Sequence, residues 1–147
     1  MTTLITLPLT AAHAPLMAAL HPICFVEPWD ERAMADLLAM PGCGGLLAAA
    51  GPDQPAGFIL WRFAAGEAEI LTLLVLPPYR RQGVAGRLLD EALAQASAQG
   101  LEAFFLEVAA DNDAGQALYS SRGFVRVGAR PRYYRNCIDA LVMKRTM

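Results

Sequence analysis

Residues 80–89, with the sequence RRQGVAGRLL, carry the clearest chemical signal in this chain. They follow an apolar run typical of a strand and open a stretch with helical periodicity. The first turn of a helix has backbone N–H groups without partners and the positive end of the helix dipole. Gly83 and Gly86 would let a ligand approach that backbone closely, and Arg80 and Arg81 would add positive charge. The segment is therefore a candidate binding site for an anion such as a pyrophosphate.

Two better-known phosphate-binding motifs do not explain this segment. The chain has neither the GxxxxGK(S/T) pattern of a phosphate-binding loop nor the GxGxxG pattern of a dinucleotide-binding fold. A helix entry whose glycines serve only a tight turn remains the alternative interpretation.

Two polar side chains further along the chain stand in apolar surroundings. Glu107 lies within AFFLEVAADN, a run typical of a buried strand, where a carboxylate must face solvent, a partner or a cleft. Tyr119 lies within DNDAGQALYSSRGF, a run typical of a short helix. The ordinary alternatives are an exposed strand position for Glu107 and a core position for Tyr119. His13 and His21 are expected to be structural or surface residues.

The composition narrows the class of protein. The chain has 147 residues, of which 55% are hydrophobic and 18% charged, which predicts one folded domain over residues 1–147 and excludes a disordered chain. No apolar run reaches the ~18 residues of a membrane span, and the first ten residues lack the basic segment of a secretory signal. The three cysteines have no metal or redox spacing, which favours reduced thiols in the cytoplasm and no metal site.

Charge is unevenly distributed along the chain. The net charge of −2 excludes a globally basic protein that binds nucleic acid directly. Residues 1–79 sum to −5, residues 80–115 to −3 and residues 116–147 to +6. The basic C-terminal part could attract an anionic partner or could be a solvated strand face, and the sequence leaves both open.

Periodicity and turn residues indicate the elements that must position these side chains. Their order is βααβββαβαββ, which predicts an α/β (α+β) fold with a mixed, mostly antiparallel sheet flanked by helices. The expected elements are a strand at 3–7, a helix from Thr10 to about Leu20 ended by Pro22, a helix from about 28 to 40, antiparallel strands within 44–51, 56–66 and 67–76, a helix at 84–99 capped by Gly100, a strand at 103–108, a helix at 113–121 ended by Gly123, and strands at 124–130 and 137–145.

The glycine-bearing segment resembles a known family signature. Arg80-x-x-Gly83-x-Ala85 matches the Q/R-x-x-G-x-G/A signature of the GNAT acetyltransferase superfamily, and residues 69–80 resemble its fourth strand and following loop. The resemblance implies that acetyl-CoA binds here, with its pyrophosphate on the N–H groups from Gln82 to Arg87 and its pantetheine arm paired with the strand. The coenzyme-binding residues implied are Leu74, Val75, Leu76, Arg80, Arg81, Gln82, Gly83, Val84, Ala85, Gly86, Arg87, Asn112 and Tyr119.

A second set of residues resembles one subgroup of that family. The string LEV…N…A…LY…GF, from Leu106 to Phe124, is typical of the ribosomal-protein-alanine N-acetyltransferases (RimI type). The resemblance implies that Glu107 is the general base, acting through water, and that Tyr119 protonates the departing thiolate. It also implies that a backbone N–H near Val75 stabilises the oxyanion.

The acceptor side is implied by two further resemblances to this subgroup. Residues 27–29 resemble its PW-containing loop, and residues 132–134 resemble its tyrosine-rich loop, so the acceptor cleft is expected between them. Trp29 and Tyr133 could instead only fix their loops. The chain departs from the subgroup at Met34, where an aromatic residue is common, and at the short tip 135–137. The acceptor-binding residues implied are Glu27, Trp29, Tyr133 and Tyr134.

The resemblance, together with the composition, implies an acetyl-CoA-dependent N-acetyltransferase of the cytoplasm that needs no metal. An α-amino group titrates near ~8 and a lysine near ~10.4, so a base acting through water suits a protein N-terminus better. The expected partner is a protein N-terminal peptide, and the expected target is the N-terminal alanine of a small-subunit ribosomal protein. Neither a membrane nor a nucleic acid is expected as a partner. The alternatives are a GNAT enzyme for a lysine or small-molecule amine, and a non-catalytic CoA-binding regulatory module.

Overall fold

The computed structural model describes residues 3–25, 28–131, 133 and 138–147. Within them, seven strands form one sheet in the order β1-β2-β3-β4-β5-β7-β6. Apart from two short 3-10 helices, the order of elements is the predicted βααβββαβαββ. The elements are β1 (Ile5–Pro8), α1 (Ala14–Cys24), α2 (Glu31–Ala39), β2 (Cys43–Ala49), β3 (Pro55–Ala64), β4 (Glu67–Val75), α3 (Val84–Ala98), β5 (Ala103–Ala109), α4 (Asp113–Ser121), β6 (Val125–Arg130) and β7 (Ala140–Thr146).

The sheet is mixed and mostly antiparallel, as the sequence predicts. Strands β1 to β4 form a continuous antiparallel meander. The described pairing between β4 and β5 is parallel, and β7 lies antiparallel between β5 and β6. The β4–β5 pair is the parallel junction in this sheet, and α3 provides the crossover connection that it requires.

Helices cover both faces of the sheet and create two buried layers. Strand β3 runs through the centre, and its side chains alternate between the layers. Phe58 and Leu60 pack towards α1 and α2, whereas Ile59 and Trp61 pack towards α3. Burial on both faces explains why residues 56–61 read as one uninterrupted apolar run.

Most element ends follow the expected local signals. The Asp30 carboxylate accepts from the Ala33 N–H at 2.8 Å and begins α2 slightly later than predicted. Gly100, with φ of 70°, follows the end of α3 as expected. The prediction that Pro22 ends the first helix is wrong, because α1 continues to Cys24. The Phe25 N–H donates to the carbonyl of His21 at 3.0 Å and closes a last turn across the proline.

The shifts at the two chain ends are small. The first strand begins at Ile5, and the last begins at Ala140, three residues after the expected start at Cys137, which lies outside the described residues. No helix in the described part of the chain has the length and apolar character needed to cross a membrane.

His21 joins α1, the segment before α2 and β4. Its ring is 2% exposed and stacks between Phe25 at 4.3 Å and Trp29 at 5.1 Å. Its Nδ1 accepts from the Trp29 backbone N–H at 3.1 Å, and its Nε2 lies 3.4 Å from the Thr72 hydroxyl. Because Nδ1 accepts, the ring proton of a neutral histidine belongs on Nε2. His21 is therefore the structural residue that the sequence suggests, and it fixes one edge of the segment that carries Trp29.

Burial lowers the pKa of His21 below its ordinary value of 6.5, which makes stability depend on pH. The unfolded chain takes up this proton more readily, so the contribution of neutral His21 is present above pH 6.5 and is lost as pH falls through its lowered pKa. We expect the free energy of unfolding, measured by urea titration, to fall between about pH 7.5 and pH 5. His21→Gln should flatten this dependence. The control His13→Gln, at a half-buried position outside the stacked rings around His21, should keep it, and an equal slope in all three proteins would contradict the prediction.

Candidate active site

Strands β4 and β5 separate soon after they meet. Their described pairing covers only three residue pairs, from Glu67 with Ala103 to Glu69 with Phe105. A β-bulge interrupts β4, since Trp61 pairs with Ile70 and Leu60 with Thr72, which leaves Leu71 as the extra residue. A bulge bends its strand, and this one lies where β4 leaves β5. The result is an opening in the middle of the sheet, with β4 on one side and residues 106–109 of β5 on the other.

The bulge also decides which backbone groups of β4 face the opening. Leu76 donates its N–H to the carbonyl of Ala56 on β3 at 2.8 Å, and Leu74 pairs with Phe58. Since backbone groups alternate in direction along an antiparallel strand, the N–H and C=O of Val75 point away from β3. The backbone N–H and C=O of Val75 therefore face the opening, whereas those of Leu74 and Leu76 face β3.

The start of α3 has the backbone arrangement that the sequence predicts for an anion site. Gly83 precedes the helix with φ of 79°, and the first helical bond runs from the Arg87 N–H to the Gly83 carbonyl at 3.0 Å. The N–H groups of residues 83–86 come before that bond. The expected run of N–H groups from Gln82 to Arg87 therefore ends at Gly86, because the Arg87 N–H is engaged. Among the described atoms, none lies within 4 Å of the place where Gly83 would carry a Cβ.

Gly86 has a packing role in addition to the one expected from the sequence. A Cβ at this position would collide with the guanidinium of Arg122, which lies over the first turn of α3. The ion pair from Arg122 Nε to Asp90 Oδ1, at 3.1 Å, fixes the guanidinium there. The missing side chain of Gly86 makes room for Arg122, while its backbone N–H still belongs to the run that precedes the first helical bond. The sequence indicated Arg122 only as one of several basic residues in the C-terminal part.

The polar side chains of residues 80–87 mostly turn back to the fold. The Arg80 Nε donates to the Val75 carbonyl at 3.0 Å, and the Arg87 guanidinium donates to the Leu4 carbonyl at 2.6 Å. The Gln82 amide donates to the Pro78 carbonyl at 3.0 Å. Arg81 is exposed and has a left-handed backbone with φ of 62°. Val84 is buried and Ala85 half-buried, so they offer backbone rather than side chains.

Glu107 lies on β5 beside the opening and is mostly buried. Its side chain is 20% exposed, and its Oε1 forms an ion pair with the Nε of Arg130 at 3.0 Å. Both residues line a groove of about 310 Å³ that extends across the sheet towards the β3–β4 turn. Arg62, Glu69, Phe105 and Val142 also line this groove.

Tyr119 lies on the opposite face of the sheet from Glu107. It is 8% exposed, packs in the same buried layer as Leu106 and Val108, and meets Phe124 edge-on at 5.9 Å. Successive strand residues face opposite sides, so Glu107 points away from that layer. Asn112 begins α4, where its Oδ1 accepts from the Gly115 N–H at 2.9 Å.

The acceptor side is only partly described. Trp29 packs on His21, and Tyr133 is 53% exposed with its ring centre 5.4 Å from the Arg130 guanidinium carbon. Arg130 therefore connects Tyr133 with Glu107. Glu27 and Tyr134 lie outside the described residues. Within the described ranges, no group of three or more His, Cys, Asp or Glu side chains is placed to hold a metal ion.

This chain is similar to a known family and to several curated proteins. The acetyltransferase (GNAT) family model matches residues 14–124. The chain is 39% identical to the N-alpha-acetyltransferase RimI of Mycobacterium tuberculosis, over 93% of this chain and 89% of that protein. It is 32% identical to the ribosomal protein bS18 alanine N-acetyltransferase of Escherichia coli, over 73% of this chain and 71% of that protein.

Two solved structures have the same fold. The ribosomal-protein-S18-alanine N-acetyltransferase from Escherichia coli gives a TM-score of 0.90 at 25% identity, covering 98% of this chain and 94% of that one. Arabidopsis thaliana NAA60, in complex with a bisubstrate analogue, gives 0.88 at 18% identity, covering 98% of each chain. The second likeness concerns the fold alone. The family match spans well over half of the sequence, and the chain therefore belongs to the acetyltransferase (GNAT) family.

Proposed function

We propose that this chain transfers an acetyl group from acetyl-CoA to the α-amine of a protein N-terminus, by direct attack of the amine. The observation that carries the proposal is the opening between β4 and β5, which has the Val75 backbone on one side and Glu107 on the other. The target that the relatives suggest is the N-terminal alanine of a small-subunit ribosomal protein. A ribosomal target also favours action in the cytoplasm.

The start of α3 fits the pyrophosphate of acetyl-CoA. The N–H groups of residues 83–86 precede the first helical bond, and the space beside Gly83 is open towards them. The positive end of the helix dipole and the exposed Arg81 add to the attraction for an anion. In the opening, the pantetheine arm lies alongside β4 as an added strand would.

Three groups of this chain support the chemistry. Acetyl-CoA, when bound, supplies the thioester that the amine attacks. The Val75 N–H is directed to stabilise the negative charge that develops on the thioester oxygen. Glu107 accepts the proton of the amine through water on one face of β5, and Tyr119 gives its hydroxyl proton to the departing sulfur from the other face. Direct attack requires no nucleophilic side chain.

The nature of the base favours an α-amine over a lysine. At neutral pH roughly a tenth of α-amines are free base, against under about one lysine in a thousand. A carboxylate acting through water suits the acceptor that loses its proton more easily. The alternatives remain a lysine or small-amine acetyltransferase and a regulatory module that binds acetyl-CoA without turnover.

A panel of acceptors tests the proposal. Short peptides that differ only in the first residue, and copies with a blocked N-terminus and an internal lysine, are incubated with acetyl-CoA. We expect release of free CoA with the alanine peptide, mass spectrometry to place the acetyl group on its α-amine, and no release with the blocked copies. Acetylation of spermidine or lysine but not of the alanine peptide would contradict the proposal, as would acetyl-CoA binding without turnover of any amine.

Tyr119→Phe tests the proton donor. Loss of the hydroxyl should lower kcat about 100-fold, because a positioned general acid contributes at least that much. The dissociation constant for acetyl-CoA, measured by calorimetry, should change little, since the ring and its contact with Phe124 remain. Tyr79→Phe, in the 3-10 helix after β4, is the matched control. A normal kcat with weakened acetyl-CoA binding would be the reverse of the expected result.

Gly83→Ala tests the anion site, with Gly100→Ala at the other end of α3 as its control. Both glycines have positive φ, and at neither does a described atom lie within 4 Å of an added Cβ. Each substitution should therefore cost about 1–2 kcal/mol of stability through backbone strain. Only Gly83→Ala should weaken acetyl-CoA binding in calorimetry, because its methyl group occupies the space beside the N–H groups. Equal affinity in the two variants would contradict the assignment.

A further inference from the structure

We propose that Arg130 is a positioning residue for this reaction, and that it holds the Glu107 carboxylate and the Tyr133 ring in one fixed arrangement. The inference rests on the proposed function, because it gives Glu107 a task. It goes beyond that function by naming the side chain that contacts both the proposed base on β5 and Tyr133, which follows β6.

A bulge in β6 brings Arg130 to the face of the sheet that carries Glu107. On β7, Val142 lies opposite both Glu107 and Gly128, whereas Met143 lies opposite Arg126, so Val127 is an extra residue. Side chains alternate in direction along a strand, and one extra residue therefore reverses which ones face each side. Without it, Ala129 rather than Arg130 would share the face of Glu107.

The ion pair has a purpose beyond stability. Arg130 is 59% exposed, and an ion pair with so exposed a partner contributes about 0–1 kcal/mol to folding. Glu107, by contrast, is only 20% exposed, and a polar group so withdrawn from water needs a hydrogen-bonding partner that holds it in place. The contact therefore holds the Glu107 carboxylate in place and adds little to the stability of the fold.

The same guanidinium also contacts Tyr133, in the segment after β6. Its carbon lies 5.4 Å from the centre of the Tyr133 ring, a distance typical of a cation–π contact. A planar guanidinium can bond to a carboxylate through one edge while its face lies on an aromatic ring, which the ammonium of lysine does less well. The planar shape of the Arg130 guanidinium, and not only its charge, therefore allows it to contact Glu107 and Tyr133 together.

The other charged groups near Glu107 do not replace Arg130. Lys144 on β7 has its Nζ 5.4 Å from the centre of the Phe105 ring, and Arg62 lines the groove from β3. Glu67 and Glu69 line it from β4 and carry the same charge as Glu107. Among the described residues, Arg130 is the cation that forms an ion pair with Glu107.

Arg130→Gln and Arg130→Lys test this role, with Arg126→Gln on the same strand as control. With the alanine peptide, we expect Arg130→Gln to lower kcat about 10- to 100-fold, the loss typical of a misplaced catalytic group, and to raise KM. The dissociation constant of acetyl-CoA and the midpoint of thermal unfolding should stay at the control values. Arg130→Lys should recover most of kcat, because the charge remains, but should keep a raised KM, because the planar contact with Tyr133 is lost.

A double-mutant cycle separates the positioning role from a structural one. In a Glu107→Gln background, Arg130→Gln should lower kcat no further, since the carboxylate that it positions is gone. Multiplicative losses, a kcat for Arg130→Gln equal to that of Arg126→Gln, or a collapse of thermal stability would each overturn the proposal. If Glu107→Gln alone kept the full rate, the role of Glu107 in the proposed function would fall. If Glu107→Gln were inactive and Arg130→Gln normal, only the role of Arg130 would fall.

Discussion

The early separation of β4 and β5 is the constraint on which the rest of the site depends. Inner strands of a sheet ordinarily pair their backbone polar groups, and a buried group without a partner costs about 1–3 kcal/mol. Both strands are inner ones, yet their described pairing ends at Phe105. Arg80 satisfies the Val75 carbonyl from the loop that leads to α3. The fold thus keeps a polar opening in mid-sheet, which water or a bound molecule must fill.

The geometry of β5 assigns the two proposed proton-transfer groups to different sides of that opening. Tyr119 packs with Leu106 in the layer under α3, while Glu107 faces the groove on the other side. Because α3 begins on the Tyr119 side, the proposed function would place the coenzyme and the amine on opposite faces of the sheet. Because successive side chains of a strand face opposite sides of the sheet, Glu107 and the layer that contains Tyr119 lie on different faces.

Regular features of this fold could be predicted from sequence, and irregular ones could not. The apolar spacing of residues 84–99 and the glycine at 100 predict α3 to within one residue. No pattern in the sequence marks the bulges at Leu71 and Val127, because they depend on how far each strand is displaced along its partner. Arg130 was missed as a site residue for that reason: without the Val127 bulge, a plain alternation would place Ala129 beside Glu107.

Several irregularities lie around the opening, whereas others lie at or near the turns after β2 and β3: a bulge between Ala48 and Ala49, and left-handed backbone at Asp53 and Ala65. The Leu71 bulge turns Val75 to the opening, the left-handed backbone at Arg81 and Gly83 leads into α3, and the Val127 bulge turns Arg130 to Glu107. A left-handed non-glycine residue such as Arg81 costs of order 1–3 kcal/mol, and each bulge gives up pairing in the sheet. Such costs persist only where packing elsewhere offsets them, here in the two layers beside β3. Those at the opening accompany backbone and side-chain polar groups that face it, and broken local rules of this kind are expected at functional sites.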